Sequence, residues 1–453
     1  METQPTSVVN RDEGDANQPA PPEKNPRRYD IDWLRVLLFG LLIPFHVAIG
    51  VYWSTYGDAI NPNITDDPEK RLEIANEGND YSAESISPVS MFLHWMHQWR
   101  LAALFMISGM GTAFAFKRRT WGTFLTERLQ RLLVPMFFGM WTMGFLGGIF
   151  TGSVDLKGNN AFETIEAFIL HIFVTSFVFW VPLFGKIIAL GHLWFLWNLF
   201  LYSLLLVPMF HFVQKYPEGR LARLCRSSFT IKSGLGIFVL LPVLLSTTEL
   251  VFKPWFPGFI GIGYEWFWYL VFFLFGYMCI VAKNTYYQFI DKHRVAITAV
   301  TVLLTLTFVW MRVQQSNDGI PYIDGGWLEN GIIHNEMTIL ACFIHSFHAW
   351  FWCLTIFSWG ALLLNKPSPS LSYLNQGVYP FYIIHMPITF AGLSIAKEYN
   401  VTGILAVLLG CFVVTIGCWL AFELVRRTRI SRYLFGIKEI QKHSRIIQNV
   451  PEL

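Results

Sequence analysis

Arg35 and His46 stand in one apolar stretch, DIDWLRVLLFGLLIPFHVAIGVYW over residues 30–53, where ionisable side chains are out of place. An offset of eleven residues is about three helical turns, so the two side chains project from one face with roughly 16 Å between them. A guanidinium holds an anion and a neutral imidazole takes a proton from a hydroxyl. One helix would then join a cation near a membrane surface to a base in the interior. The plainer readings are a headgroup anchor for Arg35 and a packed imidazole for His46.

Further along, other charged groups interrupt apolar runs. HWMHQWR places His94 and His97 near one end of the second run and Arg100 a turn further in. A guanidinium cannot shed its charge, so Arg100 must meet a carboxylate, a carbonyl or a ligand. His94 and His97 have the i, i+3 spacing of metal ligands, but no carboxylate or third histidine is close in sequence, and no metal is expected. Arg128 and Arg131, in RLQRLLVP, are three apart at the mouth of the third run. On a helix they share a face, where two guanidiniums suit the phosphates of a cytosolic ligand. His192 opens the fourth run at the outer face, Glu265 the sixth, and His334 and Glu336 the eighth, with His345 and His348 inside it. His385 lies in the ninth, GVYPFYIIHMPITF. Together the intramembrane histidines predict a polar interior shared by the first, second, eighth and ninth runs.

The elements that must position these residues are membrane helices. The 453 residues are 53% hydrophobic and 14% charged, with 41 Phe and 18 Trp, which excludes a soluble globular chain and gives no footing for nucleic-acid binding. About ten apolar runs, near 33–54, 89–116, 132–150, 191–213, 233–251, 264–282, 295–313, 337–364, 379–397 and 404–425, predict an all-α polytopic membrane protein. Alternate loops and both tails hold 25 Lys and Arg against 5 on the other side, so both termini are expected in the cytoplasm. A further apolar segment at 164–190 would invert this pattern if it crossed. It is therefore expected to lie on, or dip into, the outer leaflet, as Glu163, Glu166, His171 and Pro182 also favour.

Residues 1–28 are expected to be a disordered cytoplasmic tail, 29–430 the membrane domain and 431–453 a second cytoplasmic tail. The first span, with no signal-peptide core before it, is expected to be retained as an anchor. Residues 55–87 form an acidic loop that reads as a solvated extracytoplasmic segment, and its Asn63-Ile64-Thr65 matches a glycosylation acceptor, a short pattern that means nothing in a bacterium. Five of the six cysteines lie in apolar runs and Cys225 in a basic loop, which is no disulfide framework.

The pattern resembles the integral-membrane acyltransferase 3 family, over roughly residues 29–430. Its marks are an arginine and a histidine with ten residues between them in the first span, here Arg35 and His46, and an R-x-x-R pair before the third, here Arg128 and Arg131. Asp32, the IPFH around His46, HQWR and ISG in the second span, HLWFL at 192–196 and FYIIH at 381–385 support it. Within the family, the IPFH, HLWFL and YxxH elements look most like the branch of the glucans biosynthesis succinyltransferase.

The resemblance implies a multi-pass protein of the bacterial inner membrane that moves an acetyl or succinyl group from cytosolic acyl-CoA to an extracytoplasmic carbohydrate hydroxyl. Acyl-CoA would be a substrate, and no permanently bound cofactor is implied. Arg35, Arg128 and Arg131 would hold the nucleotide end of the donor, while His46, with Arg35, would serve catalysis. Asp32, His97, Arg100, His192, Glu336 and His385 are candidate substrate or oxyanion contacts. Two rivals remain at this stage: a transporter or flippase with His46, Arg100 and His385 along its path, and a structural or sensory membrane protein. Neither the acyl group, the acceptor nor the oligomeric state is readable.

Overall fold

The structure, a computed structural model, describes residues 28–60, 88–117, 119–158, 160–180, 190–230, 234–252, 265–318, 328–329, 332–333 and 336–437. Most of the first tail, the acidic loop from 61 to 87 with its Asn63 motif, Pro182, His334 and residues 438–453 lie outside the described residues. So does the side chain of Glu336, although its backbone opens a helix.

Apart from a two-residue antiparallel pairing of Leu328–Glu329 with Ile332–Ile333, the described elements are helices. In chain order they are α1 (Asp30–Gly40) and α2 (Leu42–Ile60), α3 (Pro88–Phe116), α4 (Trp121–Arg128), α5 (Val134–Thr151), α6 (Ala161–Trp180), α7 (Trp194–Lys215) and α8 (Arg220–Thr230). They continue as α9 (Leu241–Phe252), α10 (Glu265–Val281), α11 (Lys283–Lys292), α12 (Arg294–Asp318), α13 (Glu336–Leu363), α14 (Pro369–Glu398), α15 (Gly403–Val425) and α16 (Arg429–Leu434). Among the described residues nine helices are long and apolar enough to cross a membrane, or ten if α10 and α11, bent by 99° between them, make one span. The chain is a multi-pass helical membrane protein.

The fold turns on the contact between α3 and α10, the most extensive helix pairing. Gly109 and Gly276 let the two backbones touch: a Cβ on Gly109 would run into the carbonyl of Phe273, and one on Gly276 into that of Met106. Small residues at a crossing allow this approach where no hydrophobic force drives helices together in lipid. Around this pair α1, α2, α13 and α14 close the interior, whereas α15 and α6 turn most of their surface outward.

The segments carrying most Lys and Arg gather at one end. Arg28 lies 3.7 Å over the Tyr287 ring, the Tyr29 amide donates to Asn365 Oδ1 at 3.0 Å, Gln214 Nε2 donates to the Phe116 carbonyl at 3.4 Å, and Arg426 lies 5.1 Å from the Tyr373 ring. The loops that charge counting assigns to one side of the membrane are thus neighbours in space.

Several boundaries differ from expectation. The third span starts earlier, because α4 runs through a π-helical turn at Leu129–Leu133 into α5 without a break. The run at 233–251 becomes a shorter element with a π turn at Gly236–Leu240 before α9. Cys225, expected in a loop, is buried on α8. α6 does not lie flat. Phe168 packs on Phe145, Trp141 Nε1 donates to Ser176 Oγ at 3.1 Å, and Phe179 packs on Phe137, so α6 runs antiparallel along α5. Phe179 also meets Trp197, only a few residues into α7. α6 therefore ends beside the start of α7, and its length and composition suit a membrane crossing.

Candidate active site

The interior holds a cavity of about 160 Å³ lined by His46, His97, Arg100 and His192 among Leu42, Phe45, Leu101, Leu104, Trp194, Phe195 and Tyr382. His46 comes from α2, His97 and Arg100 from α3, and His192 from the 3₁₀ turn before α7. Behind His46 stands His385 of α14, its Nε2 3.1 Å from His46 Nδ1. His46 Nδ1 is also 2.9 Å from the Leu42 carbonyl, and His385 Nδ1 is 2.7 Å from that of Tyr382. His192 donates from Nε2 to the Ile383 carbonyl at 3.3 Å and packs edge-on to His385. The Tyr382 hydroxyl donates back to the His192 carbonyl, tying the start of α7 to α14.

Arg100 is 2% exposed and lies 3.5 Å over the Phe45 ring, with no hydrogen-bond partner for Nε or Nη1 among the described residues. Phe45 is stacked on its other neighbour, His97. A buried guanidinium with open donors facing a small cavity is a site for developing or resident negative charge.

At the basic end a second cavity, about 310 Å³, is lined by Arg35, Arg119, Arg128 and Arg131 against a single carboxylate, Glu127. Arg119 pairs with Glu127 at 2.8 Å, and Arg35 with Asp32 at 3.5 Å just outside. Arg128 donates from Nη2 to Thr112 Oγ1 at 2.7 Å, and Arg131 lies 5.9 Å from the Tyr379 ring. The π turn between Arg128 and Arg131 widens the helix there, yet both still reach the same cavity.

The two cavities lie along the same helix faces. α3 lines the inner one with Arg100, Leu101 and Leu104 and the basic one with Ser108, Gly111 and Ala115; α14 does so with Tyr382, then Val378, Tyr379 and Asn375. α7 contributes Phe195 and Leu199, and the first span His46 and Arg35. Between them Phe39, Phe195 and Tyr382 form a triangle with all three ring pairs at 5.9 Å.

The structure therefore brings together His46, His97, Arg100, His192 and His385 at one level and Arg35, Arg128 and Arg131, with Asp32 beside them, at another. It corrects the expected partnership of the eighth span. His345 instead sits 2.9 Å from the buried carboxylate of Glu249, and His348 meets Trp352 and Thr305, because α13 turns these residues towards α9 and α12. The fourth element takes its place, with His192 in the interior and not at the outer face. His94 is held by Arg312, 3.0 Å from its Nε2. Arg119, Tyr379 and Asn375 were not singled out from sequence; on α14 the steps 375, 378, 382, 385 give the helical period that leads from His385 to the basic cavity.

A family described as an acyltransferase domain matches residues 28–423. The chain belongs to the acyltransferase 3 family. This membrane acyltransferase is similar to the glucans biosynthesis protein C of Salmonella heidelberg (strain SL476), 23% identical over 437 residues that cover 93% of this chain and 97% of the relative. The proteins of the same name from Salmonella typhi and Salmonella schwarzengrund are 23% and 21% identical over the same shares. No solved structure matches. Both pairs that mark the family in sequence lie on the two cavities: Arg35 and His46 at opposite levels of one span, Arg128 and Arg131 together at the basic one.

Proposed function

We propose that this acyltransferase moves an acetyl or succinyl group from acyl-CoA, bound at the basic end, to a hydroxyl of a carbohydrate that reaches the inner cavity from the opposite side. The name of the relatives points to a glucan as acceptor. With the basic end cytoplasmic, as the positive-inside rule has it, the donor comes from the cytosol and the acceptor from outside the inner membrane of a bacterium.

The observation that carries this reading is the alignment of the two cavities on shared helix faces. Arg35, Arg119, Arg128 and Arg131 supply donors for the coenzyme's phosphates. The pantetheine arm would thread past Phe39, Phe195 and Tyr382 over the roughly 16 Å from Arg35 to His46. His46 takes the proton of the acceptor hydroxyl as its oxygen bonds to the thioester carbon, and Arg100 donates to the oxyanion that forms. The carbon–sulfur bond then breaks and the thiolate leaves with the proton. Among the described residues no serine or cysteine lines the inner cavity, which favours direct transfer over an acyl-enzyme.

The test is mass spectrometry of envelope glycans from cells with and without the gene, beside purified protein in liposomes supplied with labelled acetyl-CoA or succinyl-CoA. A gene-dependent mass increment matching the labelled donor is expected. Solute movement across the liposome with no acylated product would sink the proposal in favour of a transporter.

A further inference from the structure

The contacts of His385 determine which nitrogen His46 offers to the cavity. Carbonyl oxygens only accept, so His385 Nδ1, 2.7 Å from the Tyr382 carbonyl and 3.1 Å from that of Phe381, carries a proton. In the neutral ring His385 Nε2 is then bare, and this atom lies 3.1 Å from His46 Nδ1. His46 Nδ1 must therefore be the donor. The Leu42 carbonyl, 2.9 Å from the same nitrogen, requires the same proton. The opposite assignment would set lone pairs against carbonyl oxygens at both rings.

We infer that His385 is a positioning residue that, together with the Leu42 carbonyl, locks His46 in the tautomer protonated on Nδ1, leaving Nε2 bare to act as the base. The inference rests on the acyl-transfer reading above. As the acceptor oxygen bonds to the thioester carbon, its proton passes to His46 Nε2; when the carbon–sulfur bond breaks, the same proton leaves with the thiolate. While His46 is cationic, its Nδ1–H bond to His385 Nε2 becomes charge-assisted and stronger, so the contact favours the transition state over the resting site.

An imidazole here does what a buried carboxylate does for a catalytic histidine elsewhere, without adding an anion. That difference matters beside Arg100. A carboxylate at this position would draw the guanidinium, whose Nε and Nη1 have no hydrogen-bond partner among the described residues. A neutral partner fixes the tautomer and leaves those donors free.

The experiment compares His385→Ala, His385→Phe, His385→Asn and His385→Gln in liposomes, with kcat and the donor KM measured separately and coenzyme A binding as the check on folding. The Ala, Phe and Asn variants should lose about 10- to 100-fold in kcat with KM nearly unchanged, because cationic His46 loses the acceptor whose bond strengthens in the transition state, while the Leu42 carbonyl still holds the Nδ1 proton. His385→Gln should recover most of it, since its side-chain oxygen reaches the position of Nε2 and accepts from His46. A fully active Phe variant, or a Gln variant as slow as Ala while binding coenzyme A normally, would overturn the inference.

A second measurement leaves His385 intact. The ¹⁵N spectrum of histidine-labelled protein in bilayers, with the His46 signals assigned by their loss in His46→Gln, should show a protonated Nδ1 and a bare Nε2. The reverse pattern refutes the lock. This readout needs no turnover, so it stands apart from a failure of the acyl-transfer reading, which would appear as wild-type protein forming no acylated product with either donor.

Discussion

Arg128→Ala should weaken coenzyme A binding by about 10- to 150-fold, the loss of one charged hydrogen bond worth roughly 1.5–3 kcal/mol. The structure argues that this loss appears in affinity and not in folding. Arg128 spends one N–H on Thr112, and Thr112 keeps its own bond, donating to the Ser108 carbonyl at 2.8 Å. The guanidinium also lies 4.9 Å from the Phe124 ring, a contact that the variant forfeits. Against these small losses, removing one of four arginines around a cavity with a single lining carboxylate relieves like-charge repulsion in the empty protein.

Isothermal titration of purified protein with coenzyme A, repeated at rising salt, reads the effect. Wild-type affinity should fall as salt screens the phosphates, and the variant should fall less steeply. At saturating donor the variant should keep most of its kcat, since Arg128 is far from the reacting atoms. Arg131→Ala should behave alike. Affinities within about twofold of wild type for both variants, with unchanged circular dichroism, would refute the assignment of this cavity to the donor's phosphates.

Three further outcomes follow from the same geometry. His46→Ala should lower kcat by about 10²- to 10⁴-fold while coenzyme A binding stays intact, measured as labelled acyl group on the glycan; retained turnover would remove His46 as the base. Gly276→Ala drives a methyl group into the Met106 carbonyl, so α3 and α10 must part, and thermal unfolding in detergent should show a loss of about 1–3 kcal/mol. Unaltered melting would mean that the crossing is looser than its geometry. Phe39→Ala removes one ring of the triangle between the cavities and should raise acceptor-independent release of coenzyme A thiol; unchanged release would show that those rings do not separate donor from water.

What was legible in the sequence depends on the distance over which a property is encoded. The pair Arg35 and His46 is local to one span, so their spacing alone sets their relative height and face, and the structure keeps both. The same holds for Arg128 and Arg131, even across a π turn that the sequence does not announce. Contacts between helices are different. His46 and His385 are 339 residues apart, and nothing near either one specifies the other. Their meeting depends on how far each helix is rotated about its axis.

A rotation of about 100° per residue makes neighbouring positions belong to different environments. Arg100 faces Phe45 and the inner cavity, whereas Trp99, one step earlier, is stacked on Trp352 at 5.4 Å. The eighth span failed for this reason: an apolar helix with histidines at 345 and 348 does not say which neighbour they face, and Glu249 on α9 claimed the first. His192 shows the complementary limit. Its place at the start of an apolar run suggested the outer surface, but its ring packs against His385 in the interior, and α6, running beside α5, ends near Trp197 of α7. The depth of a helix end is set by the element that leads into it, and for α7 that element is the apolar segment whose path was hardest to read from composition.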